Sequence, residues 1–215
     1  MARGTTGRND AFWSLAVGTV ANAAMIYGVL AQGWPPGNVW LAFWLESICL
    51  GVVQFVRIRR IERAGRGRKT MMGSVFWAMW YGGFTGVQGV FVIITAVITG
   101  VRPDLTLWVP VTLVLVRTFA DLADIISRPA AFQPFALVMP ITRMITLHLG
   151  VIAGFGVALS LLEEARAPWR YQGISVEADA LPVLILLGLK LVAELIVGGV
   201  LAVVVSRHRY RTRQG

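Results

Sequence analysis

Long apolar runs, separated by short stretches rich in Gly, Pro or charge, make up most of the chain. Their residues form continuous Leu-, Ala- and Gly-rich segments rather than ten-residue alternations, so they predict helices and not membrane β-strands. A spanning helix needs about 20 mainly apolar residues. Six runs meet that length, at residues 12–32, 38–57, 74–99, 105–127, 135–162 and 181–206. We therefore predict one all-α domain over residues 1–215, a bundle of six transmembrane helices.

The composition points to the same class of protein. Hydrophobic residues make up 56% of the chain, charged residues only 14%, and the mean hydropathy is +0.69. A soluble domain carries about 25% charged residues. The single cysteine, Cys49, excludes an internal disulfide. An integral membrane protein is therefore expected.

The positions of Lys and Arg predict the orientation. An even number of spans places both termini on one side of the membrane. That side would hold fourteen of the 20 Lys and Arg residues, namely Arg3, Arg8, seven in residues 57–69, Arg128 and four in residues 207–213. The other side would hold only Arg102, Arg166 and Arg170. By the positive-inside rule, both termini are expected in the cytoplasm of a prokaryote, with the protein in its cytoplasmic membrane.

The net charge of +9 follows from the same basic segments. The 57–69 loop and the 207–213 tail are expected to touch anionic lipid headgroups, and no binding of nucleic acid is predicted. The sequence leaves open whether the protein forms a homo-oligomer.

Ionisable residues inside the apolar runs are the candidates for function. Such residues are costly in a bilayer and usually face the bundle interior or a hydrated cavity. Four are expected to line a central cavity: Glu46, His148, Lys190 and Glu194. Four more lie nearer the predicted cytoplasmic side and are expected to form a relay or gate: Arg117, Asp121, Asp124 and Arg143.

Helical spacing suggests partners within each group. Lys190 and Glu194 are four residues apart and can pair along one helix, with Glu46 as a second partner for Lys190. In the other group, Arg117, Asp121 and Asp124 share a helix face with Arg128, and Arg143 is a second cation for the two carboxylates. That group is either an ion-paired cluster that holds helices together or a relay for protons or ions.

Small and polar residues predict how the helices pack. Gly82, Gly86 and Gly89 share one face of the third helix, and Gly150 and Gly154 form a small-residue pair on the fifth. These faces allow close approach of two backbones. Buried amides, from Asn22 and Gln88, are expected to bond between helices.

No cofactor or metal is predicted. His148 has no second ligand at metal-binding spacing, although it could be an axial ligand of haem, and Lys190 could carry a retinal Schiff base. No serine lies in a nucleophile setting, and an enzyme is not the favoured interpretation.

Three blocks carry a resemblance to a known family: FWLESICLGVVQFVRI, WYGGFTGVQGVFVI and MPITRMITLHLGVIAG. The chain resembles a family of small polytopic bacterial and archaeal membrane proteins of unknown function. The family's aromatic-Leu-Glu and Pro…Arg…His patterns match at Glu46, Pro140, Arg143 and His148. Trp80 and Gln88 stand where the family pattern has histidines. If the family uses those histidines for a metal or haem, the resemblance implies that this chain does not.

Three functions fit these features. The leading hypothesis is a small transporter or proton-coupled permeation protein whose buried charges line the path. The alternatives are an accessory subunit whose charges serve assembly in a larger membrane complex, and a membrane protein that binds haem or retinal.

Overall fold

Six helices and one short hairpin make up the described part of the computed structural model. That part comprises residues 6–64, 73–127, 145–146, 148–157, 159–160, 169–171, 174–176, 180–193 and 195–196. The elements are α1 (Thr6–Gln32), α2 (Pro36–Arg63), α3 (Ser74–Thr99), α4 (Leu105–Ser127), α5 (His148–Val157), β1 (Trp169–Tyr171), β2 (Ile174–Val176) and α6 (Leu181–Ala193).

The first four helices begin and end close to the predicted segments. α5 and α6 lie within the predicted 135–162 and 181–206, whose remaining parts fall largely outside the described residues. The antiparallel pair β1 and β2 was not predicted, because three-residue strands are too short to show a hydrophobic period. The described elements are thus helical, as expected, apart from this hairpin.

A tight turn joins α1 to α2. Gly33 has φ +63°, a left-handed conformation that glycine adopts readily and that commonly ends helices. The Trp34 backbone N–H donates to the Gly28 carbonyl at 3.0 Å, and the indole of Trp34 covers Gly28, which has no side chain to obstruct it. Pro36 then begins α2 at a position where its fixed φ is suitable.

Aromatic side chains fasten α2 to α3, which run antiparallel. The Trp44 indole lies over Gly89 and donates to the Thr85 carbonyl at 3.0 Å. The Tyr81 ring lies over Gly51, and its hydroxyl donates to the Ser47 carbonyl at 2.7 Å. Glycine on one helix therefore makes room for a flat ring from the other, and the polar end of each ring finds a backbone acceptor.

The two helices approach most closely where α2 begins. A Cβ atom on Gly37 would lie only 2.5 Å from the Ala96 carbonyl oxygen and would also collide with the Gly100 carbonyl. The neighbouring Asn38 is fully buried and bonds both backbone groups of Arg102: its amide donates to the carbonyl at 2.9 Å, and its carbonyl accepts from the N–H at 3.0 Å. Asn38 thereby fixes the α3–α4 connection against the start of α2.

Carboxylates cap the starts of α4 and α3. Asp104 accepts bonds from the Thr106 backbone N–H at 2.9 Å and from its hydroxyl at 2.5 Å at the start of α4. These two bonds hold the pKa of the Asp104 carboxyl below its usual range. They therefore stabilise the folded protein while the carboxyl is ionised, and this stabilisation is lost as the pH falls and the carboxyl takes up a proton. At the start of α3, the Glu62 carboxylate accepts from the Ser74 N–H at 2.8 Å and from its hydroxyl at 2.7 Å.

The hydrophobic core lies where α2 meets α3, α5 and α6. It is centred on fully buried Trp40 and Phe43 of α2, with contributions from Val92, Val151 and Leu186. The predicted small-residue pair of α5 is part of this packing, because Gly150 lies against Leu186 and Gly154 lies against Trp40 and Pro182. In contrast, Gly82 and Gly86 of α3 face open space.

Two of the helices, α2 and α3, are each long and apolar enough to cross a membrane. α5 and α6 are shorter apolar helices within the described residues. Many large apolar side chains point outward, such as Met79 at 74% and Val97 at 72% exposure on α3. A surface of this kind is suited to contact with lipid rather than water.

We expect Gly37→Ala to destabilise the protein and Gly83→Ala to stabilise it slightly. The added methyl at Gly37 would force two backbones apart, at a cost of about 3 kcal/mol. Gly83 is exposed in mid-helix with nothing near its Cβ position, so alanine there gains about 0.5–1 kcal/mol of helix propensity. Thermal unfolding in detergent can be followed by the reactivity of the buried thiol of Cys49. Equal stability of the two variants would contradict this close helix contact.

Candidate functional site

A buried cluster of three charged side chains lies between α2, α4 and α6. We call Glu46, Lys190 and Arg117 the ion-pair cluster. Their side chains are 7%, 6% and 13% exposed. Depth along each helix can be measured at 1.5 Å per residue from its first residue. Each of the three charged residues lies about 14–18 Å from the first residue of its own helix. The three groups therefore share one layer of the bundle.

Each oxygen of the Glu46 carboxylate faces a different cation. Oε2 accepts a bond from the Lys190 ammonium. Oε1 lies 3.4 Å from Nη1 of the Arg117 guanidinium. Since one carboxylate bridges cations from two other helices, it links α2 to α4 and to α6 at the same point.

Two groups of α2 surround the Lys190 ammonium. Its Nζ lies 4.4 Å from the centroid of the Phe43 ring, within the range of a cation–π interaction. Phe43 precedes Glu46 by about one turn of α2, so ring and carboxylate approach the ammonium from the same helix. A buried ammonium is costly unless it is paired, and here it has both a counter-charge and an aromatic face.

Arg117 keeps unused hydrogen-bonding capacity. Its Nη2 is buried and has no protein partner in the described part of the chain. A guanidinium offers five N–H donors, and the described contact to Glu46 uses only Nη1. The cluster therefore presents free donors as well as charge.

Gln88 lies in the same layer, on α3. It is only 3% exposed, and neither its amide nitrogen nor its oxygen has a protein partner among the residues that the structure describes. The adjacent Gly89 lies under Trp44 of α2, which places Gln88 close to the level of Glu46. Among the described residues, the bond between helices that was expected from Gln88 is not formed. Asn22 is fully buried on α1 and is not without an interaction.

The structure changes the expected grouping of the charges. Lys190 pairs with Glu46, which was predicted as its second partner, while Glu194 lies outside the described residues. Arg117 was predicted to lie in the cytoplasmic group, but it reaches Glu46. Counting residues from the start of α4 gives about 18 Å for Arg117 against about 15 Å for Glu46 along α2. Depth along the helix could thus have revealed this pair from sequence alone.

The other predicted residues are placed only in part. His148 lies on α5, and its ring meets the Phe84 ring edge-on at a centroid distance of 5.5 Å. Asp121 follows Arg117 by one turn of α4, is partly buried and has a partner. Arg143 and the side chain of Asp124 lie outside the described residues. Within the described part, no three His, Cys, Asp or Glu side chains converge as metal ligands would.

The comparisons with known proteins give a family but no activity. The chain belongs to DUF6498, a family of unknown function, whose model matches residues 5–215. The expected membership in an uncharacterised family is therefore confirmed. No curated protein and no solved structure matches the chain.

The ion-pair cluster predicts that one substitution in it destabilises the protein and that a second substitution restores much of the stability. Glu46→Leu leaves two buried cations without their carboxylate, and loss of one partner of a buried pair typically costs about 3–5 kcal/mol. Adding Lys190→Met to Glu46→Leu removes one of those cations and should restore much of the stability. The measurement is the unfolding temperature of both variants in detergent. If the double variant is no more stable than Glu46→Leu alone, the two residues are not coupled.

Proposed function

We propose that the protein is a small proton-coupled transporter in which Glu46 takes up and releases the coupled proton. The observation that carries this proposal is the placement of Glu46, a buried carboxylate whose two oxygens face cations from two different helices. A change in the charge of Glu46 therefore alters its attraction to cations on both helices. Transporters need such an element, because uptake of a proton must alter the packing of the bundle.

A purely structural role explains the ion-pair cluster less well. Removing charges from water costs free energy that a buried ion pair often fails to recover, and apolar side chains of similar size are frequently as stable or more stable. Trp40 and Phe43 show that α2 packs well through apolar residues directly beside the cluster. A charged layer in this position therefore supports a role in moving a proton or an ion.

The proposed cycle has two states. With Glu46 ionised, the carboxylate holds Lys190 and Arg117 and keeps α2, α4 and α6 together. Protonation of Glu46 removes the charge that both cations face, so the three helices are free to separate or to accept another group. Asp121 on α4 and His148 on α5 are titratable groups near this layer. We propose Asp121 as a step between the layer and the cytoplasm, together with Asp124 and Arg143.

The proposed topology has six spans with both termini in the cytoplasm of a prokaryote. It is supported by the distribution of Lys and Arg and by the length and apolarity of α2 and α3. In this orientation the 57–69 loop and the 207–213 tail lie against anionic lipid headgroups. The ion-pair cluster then lies near the middle of the hydrocarbon layer, which is about 30 Å thick.

This topology predicts where an impermeant thiol reagent reacts. The single native thiol, Cys49, is buried, so cysteines introduced one at a time give a clear signal. Ala167→Cys, between the fifth and sixth spans, should react in intact cells. Thr70→Cys, after the basic loop, and Gln214→Cys in the tail should react only after the cells are opened. Ready labelling of the latter two in intact cells would overturn the orientation.

Proton coupling predicts a specific loss of function in Glu46→Gln. Proteoliposomes that contain a pH-sensitive dye are given inward gradients of halides and nitrate, monovalent cations, amino acids or sugars, one class at a time. At least one class should change the lumenal pH with wild-type protein. Glu46→Gln should lower the rate at least tenfold, because the amide cannot carry the proton.

Glu62→Gln is the matched control for this experiment. It makes the same substitution near the C-terminal end of α2, where the carboxylate caps α3. It should leave the proton movement intact. If no class of solute moves protons with wild-type protein, or if Glu46→Gln behaves like wild type, the transport proposal fails. A role for the charges in assembly with a partner subunit would then be the better explanation.

A further inference from the structure

We propose that the ion-pair cluster is the binding site for a small monovalent anion, of the size of chloride or nitrate, and that this anion is the transported substrate. The second part rests on the proposed transport function; the binding site does not. The structural basis is a buried layer that holds two cations and hydrogen-bond donors without a protein partner among the described residues.

Charge is the first reason. The described members of the cluster bring two cations, Lys190 and Arg117, against one carboxylate, Glu46. Protonation of Glu46 would leave both cations without the carboxylate that bridges them. A buried cation without a counter-charge is strongly unfavourable in a medium of low dielectric, so an anion would then be attracted to this position.

Free donors are the second reason. Nη2 of Arg117 and the amide nitrogen of Gln88 are both buried without a protein partner in the described part of the chain, and they occupy the same layer. Buried polar groups nearly always have a hydrogen-bond partner. An anion beside these donors and the Lys190 ammonium would satisfy them, whereas a metal cation would be repelled.

Burial limits the size of the ligand. The three charged side chains are at most 13% exposed, so the site admits a compact ion more readily than an organic molecule. Chloride and nitrate also lack a proton of their own at neutral pH. Any proton that crosses with them must therefore be carried by the protein, which is the role proposed for Glu46.

Competition between carboxylate and anion explains how the two movements are coupled. Glu46 and the incoming anion would compete for the same hydrogen-bond donors on Lys190 and Arg117. Protonation of Glu46 frees those donors and so favours binding of the anion, and by linkage the bound anion favours uptake of the proton. One proton and one anion would then move together in the same direction.

The test measures binding without transport. Purified protein in detergent is heated in sodium chloride, sodium nitrate or sodium gluconate at equal ionic strength, and unfolding is followed by the reactivity of Cys49. Chloride and nitrate should raise the unfolding temperature in a saturable way that gluconate does not reproduce, and their apparent affinity should be higher at pH 5 than at pH 8. In Glu46→Gln this dependence on pH should disappear, with the affinity held at the low-pH value.

Two glutamine variants locate the site. Gln88→Leu removes a donor from the proposed site and should weaken the apparent chloride affinity about tenfold. Gln54→Leu is the matched control. Gln54 is as deeply buried and also lacks a hydrogen-bond partner among the residues that the structure describes, but it lies eight residues, about 12 Å, from Glu46 along α2. It should leave the chloride affinity unchanged.

Failure of this proposal is distinct from failure of the transport proposal. Equal effects of all three salts, or equal effects of the two glutamine variants, would overturn the anion site even if another class of solute moved protons through Glu46. Saturable and pH-dependent binding of chloride would support the site even if no proton movement were found.

Discussion

A single buried carboxylate, Glu46, joins three helices of this bundle. Its oxygens face Lys190 of α6 and Arg117 of α4. In the interior of a bundle the attraction between such groups is much stronger than in water, and so is the penalty for leaving one unpaired. The position of α4 and α6 relative to α2 therefore depends on the charge of one side chain.

The packing around the ion-pair cluster is arranged so that these charges can meet. Glycines of α2 and α3 admit the rings of Trp44 and Tyr81, and Gly37 lets the two backbones come into contact at one end. On the other side of α2, Gly154 makes room for Trp40 beside α6. These contacts bring the helices close enough for Glu46 to reach its partners, and they are made by apolar surface and backbone carbonyls that do not compete for the charges.

Much of this fold could be predicted from hydropathy, because long apolar runs bounded by Gly, Pro and charge leave little freedom in where helices begin and end. The pairing of Lys190 with Glu46 was among the expected partners. The contact between Arg117 and Glu46 was not predicted, since helical spacing groups Arg117 with Asp121 and Asp124, whereas its long side chain also reaches across to α2. The bonds made by Asn38 and Glu62 could not be predicted, because each joins residues that only the tertiary fold brings together.

We expect Glu46 to be ionised between its two cations when the protein is at rest. Infrared difference spectroscopy of wild type against Glu46→Gln, in lipid and at neutral pH, observes this carboxyl group directly. The substitution should remove the absorption of a carboxylate. If it removes instead the carbonyl absorption of a protonated acid, Glu46 is neutral at rest, and the bridging role assigned to it is contradicted.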